Sequence, residues 1–296
     1  MVEIDIGSNI SVFRDFILSW HGFYSFIAVA VAVVLVGRWS PMKGIDPDEI
    51  YSTAIWAIIG GVIGARVVHV ADNWGYYSAN PSLIVAIWTG GIGLWGGILG
   101  GFLGGIAYAA FKHFPLVKMG QIADLAAPAM LLSQSIGRIG DVINGEHCAR
   151  ALDFPLAWIW TNPASDAGAC PNGVGIAVHP VIGYEILWNF LSLFIVWKLR
   201  NRLKPDGMIF ALYIALYSVG RFFITFGRTD NLHAFGLQEA QFIALIVLAI
   251  AIPVLIIKAR PVSRDALAQA YASEIAAVEA PRPERGTRAQ RRRNRR

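Results

Sequence analysis

Long apolar runs recur along this 296-residue chain, and each is about 20 residues long, enough to cross the hydrocarbon core of a bilayer as a helix. The runs cover residues 16–36, 52–71, 83–108, 119–138, 180–199, 208–226 and 237–257. Hydrophobic residues make up 55% of the chain and charged residues only 15%. The first run has neither the basic flank nor the small-residue cleavage site of a signal peptide. We therefore predict an all-α integral membrane protein with seven transmembrane helices.

The distribution of lysine and arginine predicts the orientation of these helices. Basic residues fall between spans one and two, three and four, and five and six, and after span seven, whereas the alternate segments contain no lysine. We expect the N-terminus outside and the C-terminus in the cytoplasm. The membrane domain is then 1–260. The basic segment 261–296 is predicted to be a disordered cytoplasmic tail, either a positive-inside anchor or a binder of RNA or anionic lipid.

The one sizeable outside loop, 146–179, is predicted to form a small extracytoplasmic domain, and it holds both cysteines, Cys148 and Cys170. Cysteines on the oxidising side of a membrane can form a disulfide, and the alternative is two unrelated small residues. The chain has no CxxC motif and no histidine-rich ligand spacing. We therefore predict no metal and no cofactor.

Glycine recurs at four-residue intervals in the third apolar run, and a shorter version occurs in the second. Small residues at this spacing allow two helix backbones to approach closely, so we predict tight packing here. The glycines are Gly93, Gly97, Gly101 and Gly105, the adjacent row Gly96, Gly100 and Gly104, and the pair Gly60 and Gly64.

Six arginines lie within the predicted spans or in the outside segments, and the outside segments contain no lysine. A guanidinium costs roughly 2.5 kcal/mol or more at the centre of a bilayer unless it is paired or wetted. Because arginine binds planar oxyanions through two parallel hydrogen bonds, the pattern indicates an oxyanion site in the membrane, with a phospholipid phosphate as the obvious ligand. The residues are Arg14, Arg66, Arg138, Arg150, Arg221 and Arg228.

Two polar clusters stand out. In the segment 137–146, three glycines permit a bent or broken helix, so that Arg138, Asp141, Asn144 and Glu146 would converge at the outer membrane boundary. Non-helical backbone is tolerated at that depth where it lines a cavity.

The second cluster, Tyr217, Arg221, Thr225 and Arg228, has the spacing of one helical face. The alternative to a binding site is an internal ion-pair network, which we disfavour because the cations outnumber the nearby carboxylates. We expect Glu185 and Asp124 to neutralise part of the excess.

Segment 137–146 resembles the signature of prolipoprotein diacylglyceryl transferases, approximately Gly-Arg-x-Gly-Asn-Phe-x-Asn-x-Glu. Five further regions are similar to that family in the same order, together with the seven-span topology, and the similarity covers about residues 15–258. They are Trp20-His-Gly, the glycine-rich segments 61–66 and 90–97, the His-Pro-x-x-x-Tyr-Glu of 179–185, and the Tyr-x-x-x-Arg-Phe-x-x-x-Phe-x-Arg of 217–228.

The resemblance implies transfer of a diacylglyceryl group from phosphatidylglycerol to the lipobox cysteine thiol of a prelipoprotein, with a thioether formed and glycerol phosphate released. It implies a multi-pass protein of the bacterial cytoplasmic (plasma) membrane, whose partners are phosphatidylglycerol, prelipoprotein signal peptides and the bilayer, with no nucleic acid. Arg138 matches the family's phospholipid-binding arginine. We expect the catalytic residues to be Arg138, Glu146, Arg221, Tyr217 and His21, and the substrate-binding residues to be Arg138, Asn144, Asp141, Arg228 and Arg66.

The chain departs from the family pattern at several positions. Asp141 replaces asparagine, His21 replaces tyrosine, Thr225 replaces glutamate, Trp95 replaces a histidine of many members, and Ala149 replaces glycine. A compensating exchange of carboxylates is one interpretation. Another is a paralogue that acts as a different phospholipid-headgroup transferase, or that binds lipid as a non-catalytic scaffold. His21 is either a base for the thiol or a membrane-interface histidine.

Overall fold

The fold is mostly helical. A computed structural model describes residues 1–13, 16–87, 91, 93–113, 115, 117–263, 265, 266 and 269, so that Arg14, the side chain of Trp95 and most of the predicted tail lie outside the described part. The helices are α1 (Trp20–Trp39), α2 (Pro47–Asp72), α3 (Trp74–Ala79), α4 (Leu94–Phe111), α5 (Val117–Asn144), α6 (Val181–Leu199), α7 (Met208–Ile224) and α8 (Glu239–Lys258).

Five helices of the described chain are long and apolar enough to cross a membrane, which makes this a multi-pass membrane protein. They are α1, α2, α6, α7 and α8, with short 3-10 turns extending α1 and α7. The apolar part of α4 is shorter, at Gly96–Phe111. Helix α5 carries Asp124, Arg138 and Asp141, which lowers its hydropathy. Seven spans therefore remain a prediction, although a helix of 17 or more residues lies at each of the seven places.

Two predicted spans begin too early. Helix α1 starts at Trp20 because Phe16–Ser19 forms strand β3, which pairs with β2 (Asn9–Phe13), and because the Ser19 hydroxyl caps the helix by accepting from the Gly22 amide. Helix α4 starts at Leu94 rather than near residue 83. Before it, Pro81–Val85 forms a 3-10 turn and Gly91 has a φ of +76°, which favours glycine and ends any regular helix.

Helix α5 is continuous, so the bend expected at Gly137 and Gly140 is absent from it. Gly140 packs directly on the start of α1, where a Cβ would lie 2.8 Å from the His21 Cα and 2.9 Å from the Trp20 carbonyl oxygen. The helix ends one residue before Gly145, whose φ is +76°. These glycines bring α1 and α5 together rather than break α5.

Eight short strands accompany the helices in the described part of the chain, so the all-α description was incomplete. Strand β1 (Val2–Ile4) pairs in parallel with β4 (Trp158–Trp160), which ties the N-terminus to the loop after α5. The other pairs are antiparallel: β2 with β3, β6 (Leu232–Ala234) with β7 (Leu237–Gln238), and β5 (Leu203–Lys204) with β8 (Arg260–Pro261).

The predicted glycine contact joins α2 to α4. A Cβ on Gly64 would collide with the backbone of Gly96 and Gly100, and one on Gly60 with the backbone of Gly100 and Gly104. The two backbones therefore touch along this row, as small residues at this spacing allow. The second row, Gly97, Gly101 and Gly105, is less crowded.

Asp124 lies at the opposite end of the bundle from the arginines, which corrects its expected role as their counter-ion. Its carboxylate accepts from the amides of Gly207 and Phe210 at 2.8 and 2.9 Å, at the start of α7. A carboxylate is favoured there because the first amides of a helix lack partners within it.

The loop between α5 and α6 packs around its own apolar cluster, which includes Trp160, Val178 and Ile182. The structure joins Cys148 and Cys170 by a disulfide, with Cα atoms 5.2 Å apart. Because Cys148 follows the end of α5 by four residues, the bridge holds the segment that carries Glu146 and His147.

Candidate active site

The polar cluster lies at one end of the bundle, where alternate helices begin and end. Arg138 and Asp141 are on the last two turns of α5, Glu185 is near the start of α6, Arg221 is on the last turn of α7, and His21 follows the first residue of α1. Helices that run up and down bring these termini together, although up to 200 positions separate these residues in the chain.

Glu185 is the centre of the cluster and is 7% exposed. Its Oε1 accepts from Arg221 Nη1 at 2.6 Å and lies 4.0 Å from Arg228 Nη1. Its Oε2 is 2.5 Å from Arg138 Nε, an ion pair without the alignment of a hydrogen bond. One buried carboxylate thus holds three guanidiniums, and the expected neutralising role of Glu185 is confirmed.

Arg228 reaches the cluster from extended backbone, because α7 ends at Ile224 and Thr225–Gly227 forms a 3-10 turn. The prediction of one helical face through residue 228 is therefore wrong. Arg228 donates to both oxygens of Asp230, at 2.7 and 3.1 Å. Its Nη1 is buried and has no hydrogen-bond partner in the described chain. Thr225 donates its hydroxyl to the Arg221 carbonyl.

His147, which the sequence did not single out, connects two of the arginines. Its Nε2 lies 2.7 Å from Arg138 Nη1 and 3.2 Å from Asp141 Oδ2, and its Nδ1 lies 3.3 Å from Arg228 Nη2. Its φ is +69°, a conformation uncommon for a side-chain-bearing residue and often found at functional sites. The sequence signal that could have identified His147 was its position between Glu146, a predicted site residue, and Cys148, a predicted disulfide cysteine.

Asp141 connects the arginines to His21. Its Oδ2 accepts from Arg138 Nη1 at 2.5 Å, and its Oδ1 lies 2.6 Å from His21 Nδ1. Glu146 Oε2 is 3.3 Å from the same His21 nitrogen, and Glu146 Oε1 accepts from Asn144 at 2.8 Å. The structure therefore brings together Arg138, Asp141, Asn144, Glu146 and His21, as the sequence predicted.

The cations in this cluster do not outnumber the carboxylates, contrary to the expected excess of cations. Arg138, Arg221 and Arg228 contact three carboxylates, those of Asp141, Glu185 and Asp230. Glu146 adds a fourth nearby. Asp230 was not among the predicted site residues. It follows Arg228, whose backbone is extended, by two residues.

Tyr217 and Arg66 contact different parts of the protein. Tyr217 lies one turn before Arg221 on α7, with its ring 6.4 Å from that of Tyr213. Arg66 donates to the backbone carbonyls of Leu83, Ile84 and Gly91, and its guanidinium stacks 5.1 Å from the Tyr77 ring centre. It holds the segment before α4, so its expected contact with substrate gains no support from these bonds.

His21, Asp141 and Glu146 each have a ligand atom within 4.8 Å of the other two. A nitrogen and two carboxylate oxygens suit a divalent cation. However, the Arg138 guanidinium already lies against Asp141, and its charge opposes a second cation there. The expected absence of a metal stays a prediction.

Sequence comparisons agree on one family. A family model described as Prolipoprotein diacylglyceryl transferase matches residues 9–257. Three relatives are named phosphatidylglycerol–prolipoprotein diacylglyceryl transferase. The one from Dehalococcoides mccartyi is 36% identical over 263 residues, which is 88% of this chain and 96% of the relative. The one from Clostridioides difficile is 36% identical over 229 residues, with 77% and 86% covered. The one from Thermosynechococcus vestitus is 34% identical over 236 residues, with 79% and 85% covered. The chain therefore belongs to the prolipoprotein diacylglyceryl transferase family.

Proposed function

We propose that this chain transfers the diacylglyceryl group of phosphatidylglycerol to the lipobox cysteine of a prelipoprotein in the arginine cluster around Glu185. Family membership supports the reaction, and the geometry supports its location. Arg138, Arg221 and Arg228 would hold the phosphate. Glu146, Asn144 and Tyr217 border the same site.

The observation that carries this assignment is the buried Nη1 of Arg228. A guanidinium nitrogen without an acceptor is costly in a protein interior. A phosphate oxygen placed beside Nη1 would remove that cost. Arg221 lies beside the same oxygen of Glu185 as Arg228, and Arg138 lies beside the other oxygen. Within the described residues, Arg221 donates to one side chain, that of Glu185.

The reaction places increasing charge on this phosphate. The thiolate sulfur attacks the glycerol carbon of the diacylglyceryl group, a C–S bond forms, and the C–O bond to phosphate breaks. The oxygen keeps the bonding electron pair, so the phosphodiester becomes a phosphomonoester with more negative charge. Guanidiniums fixed in advance stabilise that charge more in the transition state than in the bound substrate.

The thiol must lose its proton before attack, since the thiolate is the nucleophile. His21 supports this role because it is 46% exposed and lies beside two carboxylates, Asp141 and Glu146. Its side chain can take the proton, while the carboxylates orient the ring and stabilise the imidazolium. His21 is thus the proposed base, and Asp141 its orienting partner.

The proposed site lies at the extracytoplasmic end of a seven-span bundle in the bacterial cytoplasmic membrane. Every lysine of the chain lies at the other end, near the ends of α1, α4, α6 and α8 or the starts of α5 and α7. That distribution supports an outside N-terminus and an inside C-terminus. A reporter active only in the cytoplasm should work after Arg260 and be silent between Asp153 and Val178. The reverse result would invert the topology.

Complementation tests the function. A bacterium depleted of its own transferase should regain lipidation of a reporter lipoprotein when it expresses this chain, read as the mass of the mature N-terminal peptide. A reporter with its lipobox cysteine changed to serine should stay unmodified. If the chain reaches the membrane but no thioether forms, the paralogue or scaffold interpretation replaces this one.

A further inference from the structure

A second concave site lies away from the arginine cluster. A cleft of about 420 Å³ runs between α1, α5 and α6. Every lining residue is aliphatic, aromatic or proline, and Leu35, Trp39, Leu132, Phe190, Phe194 and Trp197 are among them. Its volume falls in the range of about 300–1,000 Å³ typical of small-molecule sites.

The cleft is separate from the proposed phosphate site. Its floor includes Pro128 of α5, ten residues before Arg138. At a rise of about 1.5 Å per residue, that is roughly 15 Å along the helix axis. The cleft thus occupies the other half of the bundle, toward the ends of α1 and α6.

Two tryptophans and two cations mark the mouth of the cleft. The rings of Trp39 and Trp197 lie 5.4 Å apart, and tryptophan is enriched at membrane–water interfaces. The Arg200 guanidinium stacks 3.7 Å from the Trp197 ring centre, and Lys198 Nζ lies 5.7 Å from the Phe194 ring centre. Arg200 and Lys198 are exposed, so both charges remain available to a ligand.

This combination matches the two parts of a phospholipid. An apolar cleft that faces lipid excludes water, and an empty one forfeits the dispersion contacts of its walls. An acyl chain restores those contacts. A guanidinium and an ammonium beside the interfacial tryptophans attract a negative headgroup.

We propose that the cleft binds one acyl chain of an anionic phospholipid from the leaflet at which α1 and α6 end, with its negatively charged headgroup beside Arg200 and Lys198. This lipid would be retained rather than consumed, because the cleft lies far from the reacting groups. The proposal stands independently of the transferase assignment.

Photo-crosslinking tests it site by site. The purified full chain is placed in nanodiscs with trace phosphatidylserine that carries a diazirine in one acyl chain, or with the matching phosphatidylcholine. Peptides around Pro128–Leu132 and Phe190–Trp197 should be labelled by the serine lipid. Each cation should contribute about fivefold to the preference over the choline lipid. Lys198→Gln with Arg200→Gln should abolish that preference.

Leu132→Trp should fill the cleft and remove the label there, while labelling around Arg138 stays as in wild type. Ile256→Trp, on a lipid-facing position of α8 that is 76% exposed, is the matched control and should change nothing. Equal labelling by both lipids, or labelling spread evenly over all lipid-facing helices, overturns the proposal. If Leu132→Trp does not fold, the lipid preference of the variant with Lys198→Gln and Arg200→Gln decides the test.

Discussion

His21 Nδ1 lies 2.6 Å from Asp141 Oδ1, a contact that joins the first turn of α1 to the last turn of α5. Both residues are departures from the family pattern, and they meet each other. The glutamate expected at Thr225 is missing, but Asp141 does not replace it beside Arg221, because Glu185 already fills that place. Asp141 instead pairs with Arg138, His21 and His147.

His21→Phe should lower the transfer rate at neutral pH by about 10²–10⁴-fold, the usual contribution of a positioned base. The deficit should shrink as the assay pH rises toward the free thiol pKa of about 8.5, where the substrate ionises without help. His233→Phe, at an exposed position of β6, is the control. A variant with a wild-type rate, or with a deficit that does not depend on pH, would mean that His21 only packs at the membrane interface.

His147→Leu should lower kcat/KM for phosphatidylglycerol by about 10–100-fold, since the imidazole loses its contacts with Arg138, Asp141 and Arg228, and one hydrogen bond to a charged group is worth roughly 1.5–3 kcal/mol. KM for the lipobox peptide should stay the same, because none of these three residues is proposed to bind the peptide. His147→Gln keeps a polar atom near the arginines and should lose less. Equal losses for both variants, or a changed peptide KM, would contradict a role in holding Arg138 and Arg228 together.

The Cys148–Cys170 bridge closes a loop of 22 residues, which on the chain-entropy model stabilises the fold by about 3 kcal/mol. Cys148→Ser with Cys170→Ser should therefore lower the thermal unfolding midpoint. A thiol-alkylating mass tag should label the wild-type protein only after reduction. Labelling without reductant would show that the bridge is absent in solution.

Gly64→Ala should destabilise the bundle by about 1–3 kcal/mol, because its methyl group would collide with the backbone of α4 and force it away from α2. Gly75→Ala, in α3, places its methyl group in open space and is the matched control. The unfolding midpoint in detergent measures both. Equal stability of the two variants would contradict the close α2–α4 contact.

The helices and the membership of the cluster were predictable from sequence, because both follow local patterns. Apolar runs located the helix ends to within six residues, except for the start of α4, where the apolar segment Pro81–Val85 forms a 3-10 turn instead. The motif at 137–146 placed Arg138, Asp141, Asn144 and Glu146 together because these residues are close in the sequence.

What could not be predicted depends on contacts distant in the chain. The parallel pairing of β1 with β4 joins residues more than 150 positions apart, and two three-residue strands leave little signal. Asp124 looked like a counter-ion for arginine until the fold placed it against the α7 amides. The number of carboxylates beside the arginines depended on Asp230, which pairs with Arg228. That pair forms because α7 ends at Ile224, one turn before Arg228. Likewise, the backbone acceptors of Arg66 could not be predicted, because they lie in a loop without charges. Its contact with substrate stays a prediction.

Transfer measured on purified protein tests the central claim most directly. The full chain, in vesicles of phosphatidylglycerol with a lipobox peptide, should attach a diacylglyceryl group to the peptide thiol and release one glycerol phosphate per thioether, both read by mass spectrometry. Arg138→Ala and Arg138→Lys should each lower this rate by about 10²–10³-fold, because the lost guanidinium contact faces a developing oxyanion and an ammonium cannot reproduce its planar fork. Both variants should accumulate in the membrane like wild type. Near-normal transfer by Arg138→Ala, or a loss explained entirely by reduced accumulation, would show that Arg138 is structural and that the phosphate binds elsewhere.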